Sequence, residues 1–215
     1  MTKPQVVILA AMTREAQGMA RAIGAVRAAD GSFEGPRVVL RAVGIGGSRL
    51  KQTPRPEAGA LVVVAGLGGG LDPALRTGDL VLDDAAGMLA QPTGGVLGAA
   101  YRGRIFTSPR ILEHPRAKEM AWRETGAACV DMEQEVVQRW LGRTVVGLRV
   151  VLDTAMQVLD PKFGTVCDDL GNVKPWALLR YFVTTPSAIA PTMAIGRANA
   201  ACMKKLGEAV RELVG

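Results

Sequence analysis

Histidine is nearly absent from this sequence, whose 215 residues include His114 alone, in the segment LEHPR. A Ser-His-Asp or Cys-His hydrolase would depend on that residue, which we expect in a surface turn, and a histidine-rich zinc site is excluded. Cysteine is also scarce, and Cys129, Cys167 and Cys202 are too widely spaced for a CxxC pair. An odd number of cysteines without regular spacing favours a reducing, cytoplasmic location over a secreted disulfide fold. The chemistry must therefore come from carboxylates, arginines and backbone amides.

Long apolar runs are missing as well. The first run, from Val6 to Met12, is too short to cross a bilayer, and we expect a buried strand there rather than a signal peptide. The least charged segment, Tyr181–Gly196, contains Pro186 and Pro191. We therefore expect it to be a surface or partner-facing segment and not a membrane span.

The sequence also lacks a cluster of charge of one sign. The net charge of +6 and the pI near 9.6 would suit a nucleic acid, an anionic membrane surface or a phosphorylated substrate. The 26 basic residues are nevertheless scattered, with no run longer than Lys204-Lys205 and no interleaved aromatic residues. We therefore expect ordinary solvated charge and no nucleic-acid partner.

Apolar segments of strand length alternate with segments of helical spacing along the chain. The predicted strands are Gln5–Ala10, Arg37–Val43, Leu61–Ala65, Asp79–Asp83, Ala127–Asp131 and Thr144–Leu152. The predicted helices are Arg14–Ile23, Glu113–Thr125, Glu133–Leu141, Pro175–Phe182 and Ala194–Val214. This alternation predicts an α/β fold with one mainly parallel sheet, in a single domain that spans residues 1–215.

Polar residues and glycines follow the predicted strands, at the edge where open α/β sheets bind their ligands. These segments are Met12-Thr13-Arg14-Glu15, Gly44-Ile45-Gly46-Gly47, Gly66-Leu67-Gly68-Gly69-Gly70, Asp131-Met132-Glu133 and Asp153-Thr154. Parts of the chain that are distant in sequence thus converge with acids, a candidate base and glycine-lined backbone. That is the layout of an active site.

The two glycine clusters do not match the common nucleotide-binding motifs. Arg49 and Leu71 occupy the positions where a GxGxxG motif needs its third glycine, and no Gly-Lys-Ser/Thr follows either cluster. A nicotinamide or ATP-hydrolysing function therefore loses its support. Tight strand-to-helix turns and anion binding remain equally open for these clusters.

Each charged residue at this edge also has a structural alternative. Asp153 either caps the turn that follows its strand or, when partly buried with a raised pKa, protonates a leaving group. Glu133 either favours a helix N-terminus through the helix dipole or accepts hydrogen bonds from vicinal sugar hydroxyls. Arg14 and Glu15 fit a solvated helix start. The cysteines and the nine methionines are explained most simply as core residues.

Taken in order, the segments VVILAAMTREA, AVGIGG, VVVAGLGGGLDPALRTGDLVL, CVDMEQEVV and GLRVVLDTA resemble the nucleoside phosphorylase and nucleosidase superfamily. The resemblance spans roughly the first three quarters of the chain. The chain is most similar to the hopanoid-associated phosphorylases, which remove adenine from adenosylhopane in bacterial hopanoid synthesis. The segments that carry this similarity are MTREA, DPALRTGDLVL, VDMEQ, LRVVLD and the tail LLRYFVTTPSAIAPTMAIGRAN. The resemblance implies a nucleoside phosphorylase-like α/β fold and cleavage of an N-glycosidic bond.

The resemblance also implies a role for each residue that matches the family pattern. Asp153 corresponds to the acid that protonates the purine N7, and Met132 and Glu133 correspond to the pair that holds the ribose. Glu15 falls on the nucleosidase base that activates water, and Arg14 falls near an arginine that binds phosphate in the phosphorylases. The segment that lines the sugar and the nucleophile consists of Gly66, Leu67, Gly68, Gly69 and Gly70, with Gly44 to Gly46 nearby.

Cofactors and partners follow from the same resemblance. It implies no metal and no organic cofactor, with phosphate as a possible co-substrate, and a homo-oligomer that takes a small nucleoside substrate. A large apolar substrate would place Tyr181–Gly196 against membrane lipid, and a dimer interface explains that segment equally well.

The chain departs from the family pattern at two places. Leu67 stands where many members have a small hydroxyl residue, and no base-stacking aromatic residue is identifiable around Phe106–Leu112. Two alternatives therefore stay open. One is a methylthioadenosine/adenosylhomocysteine-type nucleosidase, and the other is a non-catalytic protein that binds a nucleoside or a lipid.

Overall fold

The computed structural model describes residues 5–89, 94–159, 168, 170 and 189–215, with side chains of the last helix from residue 196 onward. The strands in these ranges are β1 (Val6–Ala10), β2 (Val26–Arg27), β3 (Phe33–Gly35), β4 (Val38–Ala42), β5 (Leu61–Gly70), β6 (Leu80–Asp83), β7 (Tyr101–Arg102), β8 (Ile105–Thr107), β9 (Cys129–Asp131) and β10 (Val146–Asp153). The helices are α1 (Thr13–Ile23), α2 (Gly95–Gly98), α3 (Pro115–Thr125), α4 (Gln134–Leu141) and α5 (Ile189–Val214).

The strands of the described ranges form one mixed, mostly parallel sheet in the order β2-β3-β4-β1-β5-β10-β6-β7. The four central strands β4, β1, β5 and β10 run parallel to one another. Strand β9 pairs antiparallel with the end of β5 and parallel with β8. The predicted α/β architecture is confirmed, and the carboxyl ends of the central strands lie at one edge of the sheet.

Strand β1 shows why its run of apolar residues is continuous. Val6, Ile8 and Ala10 pack into the core on one face of the sheet, and Val7 and Leu9 pack into a second core on the other face. Helices α1 and α5 contribute to the first core and α4 contributes to the second. A strand covered on both faces needs apolar side chains at every position, and each large one contributes about 1.5–3 kcal/mol of burial energy.

The helices end where the sequence predicts. Gly24 closes α1 with φ 71°, and Gly126 closes α3 with φ 64°. Glycine adopts this left-handed conformation without a steric penalty, so it terminates a helix readily. Helix α5 begins at Ile189, five residues before the predicted start at Ala194.

The structure corrects one sequence-based boundary and adds short elements that were not predicted. The glycines after Leu61–Ala65 do not form a loop, because β5 continues through Gly70. The short strands β2, β3, β7 and β8 and the four-residue helix α2 were not predicted. Their lengths of two to four residues are too short to show a periodic pattern.

Some predictions fall outside the described residues. These include the helix Pro175–Phe182, Cys167 and the apolar segment Tyr181–Gly196 up to Ile189, where α5 begins. Within the described part of the chain, no helix is long and apolar enough to span a membrane.

Candidate active site

Glu15 lies at the junction between β1 and α1, at the third residue of the helix. Its side chain is buried, and its two carboxylate oxygens accept hydrogen bonds from different backbone segments. Oε2 accepts from Met12 N at 3.1 Å, and Oε1 accepts from Leu67 N of β5 at 2.9 Å. Glu15 therefore joins the start of α1 to the glycine-rich end of β5 and is not part of a solvated helix start.

Glu133 is the second residue after β9 and the N-cap residue of α4. Its Oε1 accepts a hydrogen bond from Gly46 N at 2.9 Å, which ties the first glycine cluster to the carboxyl end of β9. Its Oε2 lies 3.4 Å from Met132 N and 3.8 Å from the guanidinium of Arg149. The buried carboxylate thus lies between the first glycine cluster and the guanidinium of Arg149.

Asp153 ends β10 at an irregularity in the sheet. Val151 pairs with Gly68, but the next pair along the two strands joins Asp153 to Gly69, so Leu152 has no partner on β5. This is a β-bulge, in which two residues of one strand oppose one residue of the other. Asp153 Oδ2 accepts a hydrogen bond from Lys118 Nζ at 2.5 Å.

The glycines of β5 show how the acids are arranged around this strand, because an added β-carbon would contact a different acid at each of two positions. A β-carbon on Gly66 would lie 2.9 Å from Glu15 Oε1, and one on Gly69 would lie 3.3 Å from Asp153 Oδ2. Residues 66 and 69 of a strand face opposite sides, so Glu15 and Asp153 approach opposite faces of β5. Their contact points at Leu67 and Gly69 are two residues apart, which is about 7 Å along a strand.

Arg149 is the buried cation beside Asp131 and Glu133. Its Nη2 lies 2.5 Å from Asp131 Oδ2, and its Nη1 donates to the backbone oxygen atoms of Val64 and Leu148. Asp131 accepts two further hydrogen bonds, from the Thr107 hydroxyl and from Gln134 N. The guanidinium is therefore engaged by groups of the protein itself.

Burial controls the protonation of the three acids. It raises the pKa of Glu15 and of Asp153 above their ordinary values, although the backbone N–H donors to Glu15 and the ammonium of Lys118 act in the opposite direction. Burial also raises the pKa of Glu133 to about 7, against the attraction of Arg149. Glu133 can therefore carry a proton near neutral pH, and burial favours the protonated forms of Glu15 and Asp153 relative to exposed carboxyl groups.

The structure brings most, but not all, of the predicted site residues together. Met132, Leu67, Gly68 and Gly69 are half-buried along the same edge, next to the buried Gly66, Glu15 and Glu133. Arg14 is exposed on α1, and in the described ranges its side chain makes no ion pair with these acids. Successive helical residues are about 100° apart around the axis, so Arg14 and Glu15 cannot both face β5.

Other candidates are also placed by the structure. His114 is exposed and forms the N-cap of α3, as expected for a surface turn residue. Cys129 and Cys202 are buried core residues, as predicted. Phe106 lies within the segment expected to lack a base-stacking ring, and it packs against an apolar cluster with Leu71 and Val130. Among the described residues, no group of three or more His, Cys, Asp or Glu side chains is placed to hold a metal ion.

Sequence reasoning missed Lys118 as a residue of this site. It lies on α3, far from any predicted strand end, and its side chain is 1% exposed. The available signal is its position in the helix, three residues before the buried Ala121 on the face that packs against the protein. A lysine on an apolar helix face needs a buried partner, but the sequence does not identify Asp153 as that partner.

Comparisons with known proteins identify the fold. No protein-family model matches the chain, and no curated protein matches it significantly. A variant of the Helicobacter pylori 5′-methylthioadenosine/S-adenosylhomocysteine nucleosidase, with 5′-methylthioadenosine in its active site, superposes with a TM-score of 0.60 at 17% identity, covering 99% of this chain and 100% of that chain.

Two further solved structures agree with this match. The Arabidopsis thaliana 5′-methylthioadenosine nucleosidase in apo form has a TM-score of 0.57 at 18% identity, covering 99% of this chain and 96% of that chain. A mutant of the H. pylori futalosine hydrolase has a TM-score of 0.53 at 19% identity, covering 73% and 90%. The chain therefore has the nucleoside phosphorylase/nucleosidase fold, with a mixed, mostly parallel sheet flanked by helices.

Proposed function

We propose that this chain cleaves the N-glycosidic bond of a nucleoside whose leaving base is a purine. The observation that carries the proposal is the placement of three buried or largely buried carboxyl groups, Glu15, Glu133 and Asp153, around the glycine-rich end of β5. Cleavage of such a bond builds positive charge on the sugar and negative charge on the base. Carboxylates stabilise the first charge, and a protonated carboxyl group neutralises the second.

Asp153 is the proposed general acid. Its raised pKa favours the protonated form that a proton donor needs. The O–H bond of Asp153 breaks as the proton passes to a ring nitrogen of the base, and the electron pair of the glycosidic bond leaves with the base. Protonation of this kind typically contributes about 10²–10⁴-fold to the rate.

Glu133 and Met132 are the proposed ribose-binding pair. The Glu133 carboxylate already accepts a hydrogen bond from Gly46 N, and its remaining lone pairs are free to accept hydrogen bonds from vicinal hydroxyl groups. Arg149, 3.8 Å away, favours the ionised form that accepts these hydrogen bonds. Met132 supplies an apolar surface beside the sugar.

Glu15 is the proposed base that activates water. Backbone N–H groups of Met12 and Leu67 fix its orientation, and the small Gly66 leaves room beside its Oε1. The charges in this region favour water over phosphate as the nucleophile. Arg149 is already bound to Asp131, Arg14 is exposed, and a phosphate dianion would be repelled by the ionised Glu15 that acts as the base.

Two substrates deserve direct comparison. Adenosylhopane is supported by the resemblance of the core segments and the tail to the hopanoid-associated phosphorylases, and its apolar part would contact membrane lipid. 5′-Methylthioadenosine is supported by the whole-length likeness to a nucleosidase that holds this compound in its active site. Either substrate would release adenine, and a homo-oligomer is the proposed assembly.

The test is release of free adenine, measured by chromatography, from adenosylhopane and 5′-methylthioadenosine with and without phosphate. We expect adenine release that phosphate does not accelerate, and a loss of about 10²–10⁴-fold in kcat for Asp153→Asn. Asp30→Asn is the matched control, because Asp30 is an exposed turn carboxylate that bonds Ser32. Binding of either nucleoside without adenine release would favour the non-catalytic alternative.

A further inference from the structure

Lys118 is a fully buried lysine whose ammonium group is completely hydrogen-bonded. Its Nζ donates to Asp153 Oδ2 at 2.5 Å, to the backbone oxygen of Thr154 at 2.8 Å and to that of Gln157 at 3.2 Å. An ammonium has three N–H donors, and each has an acceptor here. Burial of a lysine is unfavourable without such partners, so the arrangement points to a specific use of the charge.

The same contacts hold the segment that presents Asp153. Thr154 and Gln157 belong to the turn after β10, which is closed by hydrogen bonds from Gln157 N to Thr154 O at 3.1 Å and from Thr154 N to Gln157 Oε1 at 2.7 Å. Lys118 thus fixes both the side chain of Asp153 and the backbone behind it. Lys118 is itself held in place by helix α3.

The contact distinguishes the two oxygen atoms of Asp153. Oδ2 accepts from Lys118 whether Asp153 is ionised or protonated, because the carbonyl oxygen of a carboxylic acid is also an acceptor. Oδ1 is the oxygen left for a proton. A proton that Asp153 donates therefore leaves from Oδ1, while Oδ2 stays bound to the ammonium.

We propose that Lys118 is a positioning residue for proton donation by Asp153: it directs Oδ1 to the leaving base and stabilises the carboxylate that remains after the transfer. This inference rests on the proposed function. In the step, the Oδ1–H bond breaks, a nitrogen–hydrogen bond forms on the base, and the glycosidic electron pair leaves with the base. The protons of Lys118 stay in place, and its charge faces the new carboxylate.

Few ionisable groups act on Asp153 within the described ranges. Lys118 from α3 faces it directly, and the Cys129 thiol from β9 is near enough to interact with it electrostatically. Burial raises the pKa of the Cys129 thiol to about 12, so this group stays neutral. Cys202 of α5 donates to the backbone oxygen of Val151 and not to Asp153. Removal of Lys118 therefore removes the cation that favours ionised Asp153, and the pKa of Asp153 rises.

The experiment compares wild-type protein with Lys118→Met on two leaving groups. 5′-Methylthioadenosine and adenosylhopane need protonation of the base, whereas 4-nitrophenyl β-D-ribofuranoside releases a nitrophenolate that does not. For Lys118→Met we expect about a 10²-fold loss of kcat on adenine release and a change of less than about threefold on the nitrophenyl riboside. The alkaline limb of the kcat profile should move up by about 1–3 pH units, the usual effect of an adjacent opposite charge.

The controls separate a positioning role from a structural role. Lys204→Met removes an exposed lysine that lies 4.0 Å from Glu208 and should leave both reactions unchanged. Lys118→Arg retains a cation and should keep the alkaline limb near its wild-type position. If Lys118→Met has no cooperative thermal transition, Lys118→Gln replaces it, because glutamine is neutral but still donates to Asp153.

Equal losses on both leaving groups, or an unmoved alkaline limb, would overturn the role of Lys118 while leaving the proposed function intact. If wild-type protein cleaves none of the three compounds, the proposed function and this inference are both overturned. If Lys118→Met loses adenine release selectively and its alkaline limb shifts, the proposed function and the positioning role of Lys118 are both supported.

Discussion

Arg149 of β10 reaches across β5 to form a buried ion pair with Asp131 of β9, in which Nη2 lies 2.5 Å from Oδ2. The two side chains are 2% and 1% exposed. The aliphatic part of the Arg149 side chain passes Gly68, where an added β-carbon would lie 3.4 Å from Arg149 Cδ and 2.7 Å from Cys129 Sγ. The glycine-rich end of β5 therefore makes room for charged groups of the neighbouring strands.

Removal of one partner of this pair should be strongly destabilising. Arg149→Met leaves Asp131 buried without its cation, and we expect a loss of about 3–5 kcal/mol in the free energy of unfolding, measured by urea denaturation. Arg123→Gln is the control, because Arg123 and Glu119 form an exposed pair with side chains 72% and 53% exposed. The control should change stability by about 0–1 kcal/mol. Equal effects of the two variants would contradict the importance of burial.

A methyl group at position 68 should disturb the packing of Arg149 and β9 against β5. In Gly68→Ala the new β-carbon would lie 2.9 Å from the backbone oxygen of Val130, which cannot move away freely. We expect a loss of about 1–3 kcal/mol in a urea unfolding experiment. Gly59→Ala is the matched control, since no atom lies within 4 Å of an added β-carbon there. A Gly68→Ala protein as stable as Gly59→Ala would show that β5 tolerates a side chain at this point.

Glu133 should make the stability of the protein depend on pH. Its pKa is raised from 4.5 to about 7 by burial, so the folded state retains a proton between these values that the unfolded state has lost. Stability from this group is therefore present below pH 4.5 and is lost as pH rises toward 7. The full effect is on the order of 3 kcal/mol.

Glu133→Gln should flatten this dependence, because the amide carries no charge at any pH. The measurement is the free energy of unfolding at several pH values from 4.5 to 8. Glu34→Gln changes an exposed glutamate of β3 and serves as the control. A variant with the same pH slope as the wild type would assign the slope to Glu15, Asp153 or other groups.

Glu15→Gln should reduce adenine release if Glu15 activates water. We expect kcat to fall by about 10²-fold or more, because the amide cannot accept a proton. Burial raises the pKa of Glu15, so wild-type activity should decline as pH falls through a value above the ordinary range of a glutamate. This acidic limb should be absent in the variant. Glu57→Gln, which changes an exposed residue, is the control, and phosphate-stimulated activity in Glu15→Gln would contradict the hydrolytic assignment.

The central strands were predictable because their burial on both faces leaves a continuous apolar run. Val6–Ala10 and the apolar part of β10 have this pattern, so their carboxyl ends and the acids Glu15 and Asp153 could be assigned to one edge. The position of Glu133 followed in the same way from β9. Local sequence thus predicted that these three acids lie at the same edge of the sheet.

The contacts across the site were not predictable from local patterns. Lys118 and Asp153 are 35 residues apart in sequence, and nothing in either segment specifies their meeting. The continuation of β5 through Gly70 was also missed, because glycines usually mark turns. Here they extend the strand, since β9 and the side chains of Glu15 and Arg149 occupy the space where larger residues of β5 would project.

The bulge at Leu152 has a stereochemical consequence. In a regular strand Asp153 would face the same side as Val151 and Arg149, but the unpaired residue turns it to the opposite face of β5 from Glu15. Under the proposed function, the proton reaches the departing base from one side and the activated water attacks from the other. Cleavage would then be a single displacement, and a β-nucleoside would yield its sugar in the α configuration. One unpaired residue in a strand would thus determine the anomer of the product.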